Sequence, residues 1–278
     1  MNARLLFILL LFTIGALWYI IGYWRRKAGE AAFAAARLTE KSEERERYCR
    51  LAVMAGHRKA CRMFYLLHPE RFDGHSPHKP FKLRGIRISF YGYYYPSRYN
   101  ALLNDEQKAF CHSIYQFKQG DIHGIEFFKT CMNALQLKKR PYHIMFMPCS
   151  NWIKYGQRFK RLDWYIGKHR QDLTSGLYDV DICDARESLH EAKGGEKRIL
   201  ERNYLITGKI KGKEIIIIDD VLTTGQSVVD YKEEIERCGG KVVAAIFYGK
   251  TLSMPSMLLV QIHVWGNHIA HIIERMTK

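Results

Sequence analysis

Residues 214–227 read EIIIIDDVLTTGQS and contain the strongest indication of a fold class. The four consecutive isoleucines are a continuous apolar run, which is typical of a strand buried on both faces within a parallel sheet. Val228, Tyr231 and Ile235 follow at helical spacing, and the apolar run VVAAIFY at 242–248 predicts another strand. Because a strand, a helix and a strand in this order form a βαβ unit, we expect an α/β protein.

Further segments upstream fit the same class. YHIMFMP at 142–148 predicts a short apolar strand, a helix is expected near 156–172, and GLYDVDI at 176–182 predicts a weaker strand. The alternating residues from 81 to 95 predict a half-buried pair of strands. Two amphipathic helices are expected between these regions, at 104–117 and 123–135. Together the segments predict an open, twisted parallel sheet that is flanked by helices.

The polar residues after the isoleucine strand predict a ligand site. Asp219 and Asp220 fall at the C-terminal end of a central strand, where open α/β sheets bind ligands. The turn 223–227 leads into a helix N-terminus, which attracts anions, and Gly225 lets the backbone approach a phosphate closely. Carboxylates accept hydrogen bonds from hydroxyl groups or bind a divalent cation. A sugar phosphate with a neighbouring diol and bound Mg²⁺, such as a ribose 5-phosphate, would satisfy every part of this motif.

IIIIDDVLTTGQS resembles the signature of the type I phosphoribosyltransferases. In that family this loop binds 5-phosphoribosyl 1-diphosphate (PRPP). The resemblance implies that the acidic pair is catalytic, holds the ribose hydroxyls and contacts Mg²⁺ mostly through substrate or water, while the turn holds the 5′-phosphate. The PRPP-binding residues that it implies are Asp219, Asp220, Val221, Leu222, Thr223, Thr224, Gly225, Gln226 and Ser227. A purely structural interpretation, with Asp220 as a helix cap and Gly225 as a turn residue, leaves the second aspartate and the second threonine unexplained.

A fainter resemblance to the ComF-like branch of this family extends over residues 85–255. FMPCSNW at 146–152 lies where the family has its pyrophosphate loop, and the charged segment 185–203 lies where a mobile hood closes over substrate. IYQFKQGD at 114–121 and GQRFKR at 156–161 resemble two further family segments. The loop and hood residues implied by this resemblance are Cys149, Ser150, Asn151, Lys193, Lys197, Arg198 and Arg202. Cys149 is interpreted as a small buried thiol. The alternative interpretation of the hood cations is that they belong to a solvated, charged loop without a role in binding.

The N-terminal segment predicts a membrane anchor. Residues 5–24 are uncharged and long enough to span a bilayer, with aromatic residues near one end. Arg25, Arg26 and Lys27 follow directly, so the positive-inside rule predicts a single-pass protein whose C-terminal domain faces the cytoplasm. A cleaved signal peptide is the alternative, because small residues follow the apolar run.

The predicted organisation has three parts. Residues 1–27 form the transmembrane anchor, residues 28–70 a small helical hairpin, and residues 81–278 the phosphoribosyltransferase-like α/β domain. The segment 47–67 resembles one unit of a Sel1-type repeat, but no second copy follows. A plain helical hairpin is therefore the alternative interpretation.

Composition narrows the range of partners. The chain has 278 residues and a formal net charge of +16, which favours polyanions such as phosphorylated metabolites or nucleic acid. Its seven cysteines are dispersed without any C-x-x-C pair, which argues against a disulfide framework or a zinc knuckle. The cysteine-rich zinc module of many ComF-like proteins and the N-terminal nucleophilic cysteine of amidotransferases are both missing from the sequence.

The resemblance to the type I phosphoribosyltransferases implies a PRPP-dependent and Mg²⁺-dependent transferase of nucleotide metabolism that acts on a nitrogen acceptor. The resemblance adds the expectation of a homodimer. Two other functions stay open, namely a non-catalytic PRPP-sensing or nucleic-acid-associated module of the competence type, and a scaffold with a vestigial α/β domain. The intact DDVLTTGQS motif argues against the scaffold, because its binding chemistry is complete.

Overall fold

The computed structural model of the protein describes residues 3–122, 124–182 and 203–277. Its α-helices are α1 (Ala3–Leu38), α2 (Ser42–Met54), α3 (Arg58–Leu67), α4 (Glu70–Asp73), α5 (Asp105–Gln119), α6 (Ile125–Leu135), α7 (Trp152–His169), α8 (Gln226–Arg237) and α9 (Met257–Met276). A short 3-10 helix occupies Ser97–Leu102. Its strands are β1 (Phe81–Leu83), β2 (Ile86–Tyr94), β3 (Tyr142–Phe146), β4 (Leu173–Ser175), β5 (Val180–Ile182), β6 (Tyr204–Ile206), β7 (Glu214–Leu222) and β8 (Lys241–Thr251).

The chain divides into two compact units. The helical unit comprises Met1–Gly74, Arg98–Leu103 and Ser253–Lys278, and the α/β unit comprises His75–Ser97 and Asn104–Leu252. The C-terminal segment had been expected to belong to the α/β domain, within residues 81–278. In the structure α9 packs against α2 and α3, so the segment after Leu252 belongs to the helical unit.

In the helical unit, α1 packs against α2 through small and apolar residues. Phe33 and Ala36 are buried, and a Cβ atom added at Gly29 would lie 3.0 Å from the Cβ of Ala55. The Nε of Arg25 donates a hydrogen bond to the Ala55 carbonyl oxygen at 3.2 Å. The second half of α1 is therefore held by packing and by a side-chain hydrogen bond to the end of α2.

The apolar N-terminal run does not form a separate membrane-spanning helix. It is the first part of α1, a continuous helix of 36 residues that runs on through Arg25, Arg26 and Lys27 to Leu38. Within the parts of the chain that the structure describes, no helix combines the length and the apolar character needed to cross a bilayer. The predictions of a transmembrane anchor at residues 5–24, of a single-pass localisation and of a cytoplasm-facing domain are therefore wrong.

The α/β unit is built on a six-stranded sheet with the order β1-β2-β8-β7-β3-β4. Strands β2, β8, β7, β3 and β4 run parallel, while β1 pairs with β2 in the antiparallel direction at one edge. A separate antiparallel pair is formed by β5 and β6. The α/β class is thus confirmed, and the predicted all-parallel sheet is corrected to a mixed sheet that is mostly parallel.

The hydrophobic core under α5, α6 and α7 uses every second residue of the central strand β7. Ile216 and Ile218 belong to this core, together with Phe117 of α5, Phe128 of α6 and Phe159 of α7. Side chains along a strand alternate between the two faces of a sheet. Residue 220 therefore continues the face of Ile216 and Ile218.

The topology places a crevice between the C-terminal ends of β3 and β7. The chain leaves β3 through α7 toward β4 and leaves β7 through α8 toward β8, so the neighbouring strands connect in opposite directions. The ladder between β3 and β7 ends at the pair of Phe146 and Ile218, whereas β7 stays paired with β8 as far as Leu222. Open α/β sheets bind ligands at such a switch point. Asp219 and Asp220 lie directly at this opening.

Candidate functional site

The acidic pair is buried and faces two basic side chains. The Nζ of Lys118 in α5 lies 3.1 Å from Asp220 Oδ2, and the Nη1 of Arg158 in α7 lies 3.1 Å from the same oxygen. Arg158 Nη1 also lies 3.6 Å from Asp219 Oδ1. The Asp219 and Asp220 side chains are only 14% and 8% exposed. Lys118 of α5 and Arg158 of α7 thus place positive charges next to the two carboxylates. The sequence had predicted that these carboxylates are open to a ligand.

Backbone groups hold both carboxylates as well. The amide of Asp220 donates to Asp219 Oδ1, and the amide of Val221 donates to Asp220 Oδ1, each at 2.7 Å. These bonds fix the two side chains against the end of β7. The pair is therefore rigidly oriented before any ligand arrives.

The two carboxyl groups differ in how their pKa values are shifted. Burial raises the pKa of Asp219 well above its ordinary value, and the adjacent Asp220 carboxylate raises it further. Burial also acts to raise the pKa of Asp220, but Arg158 and Lys118 outweigh this effect and lower that pKa. Asp220 is therefore the carboxylate that the structure keeps charged, and Asp219 is the one that binds a proton more readily.

The turn after the acidic pair has the opposite environment. Thr223, Thr224, Gln226 and Ser227 are exposed, and α8 begins at Gln226. Gly225 has a φ of 77°, and a Cβ atom there would lie 2.2 Å from Leu83 Cδ2. A left-handed φ and this lack of space both require glycine. Hydroxyl groups and a helix N-terminus thus face solvent together, as the sequence predicted for an anion site.

The turn between β1 and β2 supplies the side chains that pack next to Gly225. Leu83 contributes the apolar contact, and Arg84 Nη1 donates to Gln226 Oε1 at 2.5 Å. Gln226 in turn donates from Nε2 to Asp230 Oδ1 at 2.6 Å. Arg84 brings an exposed positive charge next to the N-terminus of α8, which the sequence alone did not reveal because more than a hundred residues separate the two segments.

The predicted pyrophosphate loop follows β3 on the other side of the crevice. Asn151 caps α7 by accepting a hydrogen bond from the Lys154 amide at 2.9 Å, and Ser150 is half-buried. Burial raises the pKa of the Cys149 thiol to about 12, so this thiol stays protonated at neutral pH. Cys149 is thus a buried, inert thiol. Asn203, which the sequence did not single out, donates from Nδ2 to the carbonyl oxygens of Cys149 and Ser150 at 3.2 and 3.4 Å.

The predicted hood residues Lys193, Lys197, Arg198 and Arg202 lie outside the described residues. The strand that precedes them is tied to the sheet by a buried histidine. His143 Nε2 lies 2.6 Å from Asp179 Oδ2, and its Nδ1 lies 2.7 Å from Thr174 Oγ1. Burial and the nearby Lys213 lower the pKa of His143, although Asp179 acts in the opposite direction. This bridge connects β3 and β4 to the residue just before β5.

Lys118 and Arg158 are the residues of the crevice that sequence reasoning missed. Both lie in segments whose resemblance to the family was recognised, 114–121 and 156–161, but neither had been assigned a role. Their assignment needs the packing of α5 and α7 over β7, since about a hundred and about sixty residues separate them from Asp220.

Comparison with known proteins gives two partial sequence matches. Residues 171–251 match the family model described as phosphoribosyl transferase domain, which covers the segment from β4 to β8. A segment of 57 residues is 42% identical to the orotate phosphoribosyltransferase of Sulfolobus acidocaldarius. That segment is 20% of this chain and 26% of the relative, so the chain matches about a quarter of the relative's length. These similarities support the resemblance to the type I phosphoribosyltransferases.

Proposed function

We propose that the protein binds PRPP at the crevice between β3 and β7 and transfers its phosphoribosyl group to a nitrogen acceptor. The single observation that carries this proposal is the position of the motif. DDVLTTGQS forms the strand end, the turn and the helix start at the topological switch point, inside the segment 171–251 that matches the family model. A ComF-like member of the family is the finer form of the proposal.

Each part of the site has a role in this reaction. Asp219 and Asp220 accept hydrogen bonds from the ribose 2′ and 3′ hydroxyls, and the turn 223–227 binds the 5′-phosphate through hydroxyls and the α8 N-terminus. A bond forms between the acceptor nitrogen and the anomeric carbon, and the bond from that carbon to the diphosphate oxygen breaks. Pyrophosphate leaves with the electron pair of the broken bond, and the acceptor N–H proton passes to water or to the pyrophosphate. Positive charge develops on the ribose and negative charge on the leaving group, so catalysis depends on positioning and electrostatics.

Magnesium fits this site as an ion held only in part by the protein. Asp219 and Asp220 supply the oxygen ligands that Mg²⁺ prefers, but no group of three or more His, Cys, Asp or Glu side chains suited to a metal occurs among the described residues. Substrate oxygens and water would complete the shell. When bound, the ion would neutralise charge on the diphosphate.

Isothermal titration of the full chain with PRPP and Mg²⁺ tests the proposal. We expect the double variant Asp219→Asn, Asp220→Asn to abolish measurable binding, because charged hydrogen bonds to two hydroxyls are lost. Asp105→Asn, an exposed carboxylate at the start of α5, serves as the matched control and should bind like the unmodified chain. Unchanged affinity in a folded double variant would refute the site.

A non-catalytic PRPP-binding module is the second candidate function. The observation that favours it is that cations already occupy the resting pair, since Arg158 faces both carboxyl groups and Lys118 faces Asp220. Pyrophosphate release with a panel of purine, pyrimidine and amine acceptors supports the enzyme, whereas PRPP binding without release supports the sensor. Salt-sensitive DNA binding without turnover would support the nucleic-acid-associated form that the net charge of +16 suggests. The homodimer stays a prediction.

A further inference from the structure

Arg158 is held at the acidic pair by a one-sided contact. A single nitrogen, Nη1, faces both carboxylates, at 3.1 Å and 3.6 Å. Its Nε is buried and has no hydrogen-bond partner among the described residues. Strong guanidinium–carboxylate pairs use two parallel hydrogen bonds, and a buried donor without a partner costs free energy. The contact is therefore weaker than the residue types would allow.

The acceptor atoms of the pair are already largely in use. Asp219 Oδ1 accepts from the Asp220 amide, Asp220 Oδ1 accepts from the Val221 amide, and Asp220 Oδ2 faces Lys118 and Arg158. At least three of the four carboxylate oxygens thus have a partner among the residues that the structure describes. A vicinal diol needs two acceptors, so its binding has to displace at least one existing contact.

Among these contacts the Arg158 contact is the easiest to break. The two backbone bonds belong to the end of β7, and Lys118 makes a short, direct approach to one oxygen. Arg158 Nη1 is equally close to that oxygen, at 3.1 Å, but the same nitrogen also faces Asp219 Oδ1 at 3.6 Å, and the Nε of Arg158 has no hydrogen-bond partner among the described residues. If its guanidinium moves by a rotamer change, Asp220 Oδ2 keeps its contact with Lys118 and Asp219 Oδ1 keeps the Asp220 amide, but both oxygens gain room to accept a further hydrogen bond.

We propose that Arg158 is an internal competitor for the ribose site, occupying the Asp219–Asp220 pair at rest and leaving it when a sugar phosphate binds. This inference rests on the proposed function. It assigns to Arg158 a role in setting affinity, since a site open only in a fraction of molecules binds more weakly by that fraction. In the absence of substrate, the contact of Arg158 with Asp219 and Asp220 also disfavours binding of a divalent cation to the two carboxylates.

Titration with ribose 5-phosphate tests this inference, because the probe carries the diol and lacks the diphosphate. We expect Arg158→Gln to bind it about tenfold more tightly than the unmodified chain, and PRPP more tightly as well. Arg158→Lys, which keeps the charge, should lie between the two. Lys160→Gln, an exposed cation of the same helix, is the matched control and should leave the affinity unchanged. Unchanged or weaker binding of ribose 5-phosphate by a folded Arg158→Gln variant would overturn the inference.

A second measurement applies if Arg158→Gln fails to fold. In the unmodified chain, the ¹⁵N-detected Nε–H signal of Arg158, assigned by its absence in Arg158→Lys, should shift when ribose 5-phosphate is added. A signal that stays in place at saturation would contradict displacement. If the double variant Asp219→Asn, Asp220→Asn loses sugar phosphate binding but substitution of Arg158 leaves the affinity unchanged, this inference alone is overturned. No binding of either sugar phosphate to any form would overturn the proposed function as well.

Discussion

The two halves of the binding motif differ sharply although only two residues separate them. Asp219 and Asp220 are buried, paired with cations and held by backbone amides, whereas Thr223, Thr224 and Ser227 lie in solvent. The charged half of the motif is therefore part of the folded core, and the uncharged half is free to respond to a ligand. Substitutions in the acidic half should therefore change stability as well as binding, whereas substitutions in the turn should change binding alone.

Replacing Asp220 should affect stability most. Asp220→Asn leaves Arg158 and Lys118 facing a neutral amide, and removing one partner of a buried ion pair costs about 3 kcal/mol. Because the Asp220 pKa is lowered on folding, its contribution is present above the unfolded carboxyl pKa and is lost as pH falls through the folded value.

Asp219→Asn is the matched control for this prediction. Its pKa is raised on folding, so the ionised carboxylate opposes folding at neutral pH and its removal should change stability by less than about 1 kcal/mol. Urea denaturation at pH 7 measures both variants. Equal losses in the two would contradict the assignment of Asp220 as the charged member.

Replacing Gly225 should have the next largest effect. Gly225→Ala forces a left-handed φ on a residue with a Cβ atom and brings that atom 2.2 Å from Leu83 Cδ2. We expect a loss of about 2 kcal/mol of unfolding free energy. Gly156→Ala is the control, since no atom lies within 4 Å of the added Cβ atom, and it should not destabilise the protein. Thermal unfolding that ranks Gly156→Ala below Gly225→Ala would contradict the prediction.

Removing the two threonine hydroxyls should leave stability nearly unchanged. Thr223→Val with Thr224→Val alters only exposed side chains, so unfolding free energy should stay within about 0.5 kcal/mol. PRPP affinity measured by titration should fall by about tenfold or more, because hydrogen bonds to a charged phosphate are lost. A double variant with a lowered free energy of unfolding and an unchanged PRPP affinity would contradict this prediction.

Cys149 should show no reaction at all. Its pKa of about 12 keeps the thiol protonated at pH 8, and its side chain is buried. Iodoacetamide labelling of the folded chain, followed by mass spectrometry, should leave Cys149 unmodified while the more accessible Cys238 reacts. Rapid labelling of Cys149 would point to an activated thiol instead.

The sequence predicted the parts of the fold that depend on local patterns. The uninterrupted isoleucines of β7, the helical spacing of α8 and the strand β8 were identified from periodicity alone. The position of the ligand motif at a strand end followed from the same reasoning. Patterns of this kind are strong when a strand is buried on both faces, because every residue in it is apolar.

Other features depend on contacts between distant segments and were missed or predicted wrongly. Of the strand expected at 176–182, only Val180–Ile182 is a strand, and this β5 belongs to a separate antiparallel pair with β6. The edge strand β1 runs antiparallel to β2. Residues 5–24 predicted a membrane span from local hydropathy, but no helix of the described residues is long and apolar enough to cross a bilayer. The contacts of Lys118 and Arg158 with Asp220 could not be predicted from the sequence, because they form only when α5 and α7 pack on the sheet.

The alternation of side chains along β7 limits how the motif can be transplanted. Asp220 meets Lys118 and Arg158 because it shares a face with Ile216 and Ile218, and the ladder to β8 carries that register unchanged from Ile216 to Leu222. Inserting one residue between Ile218 and Asp219 would turn the Asp220 carboxylate toward the other face, away from both cations. A design that grafts this motif onto another scaffold must therefore keep Asp220 on the same face of the strand as the core residues, as well as keeping the order of the residues.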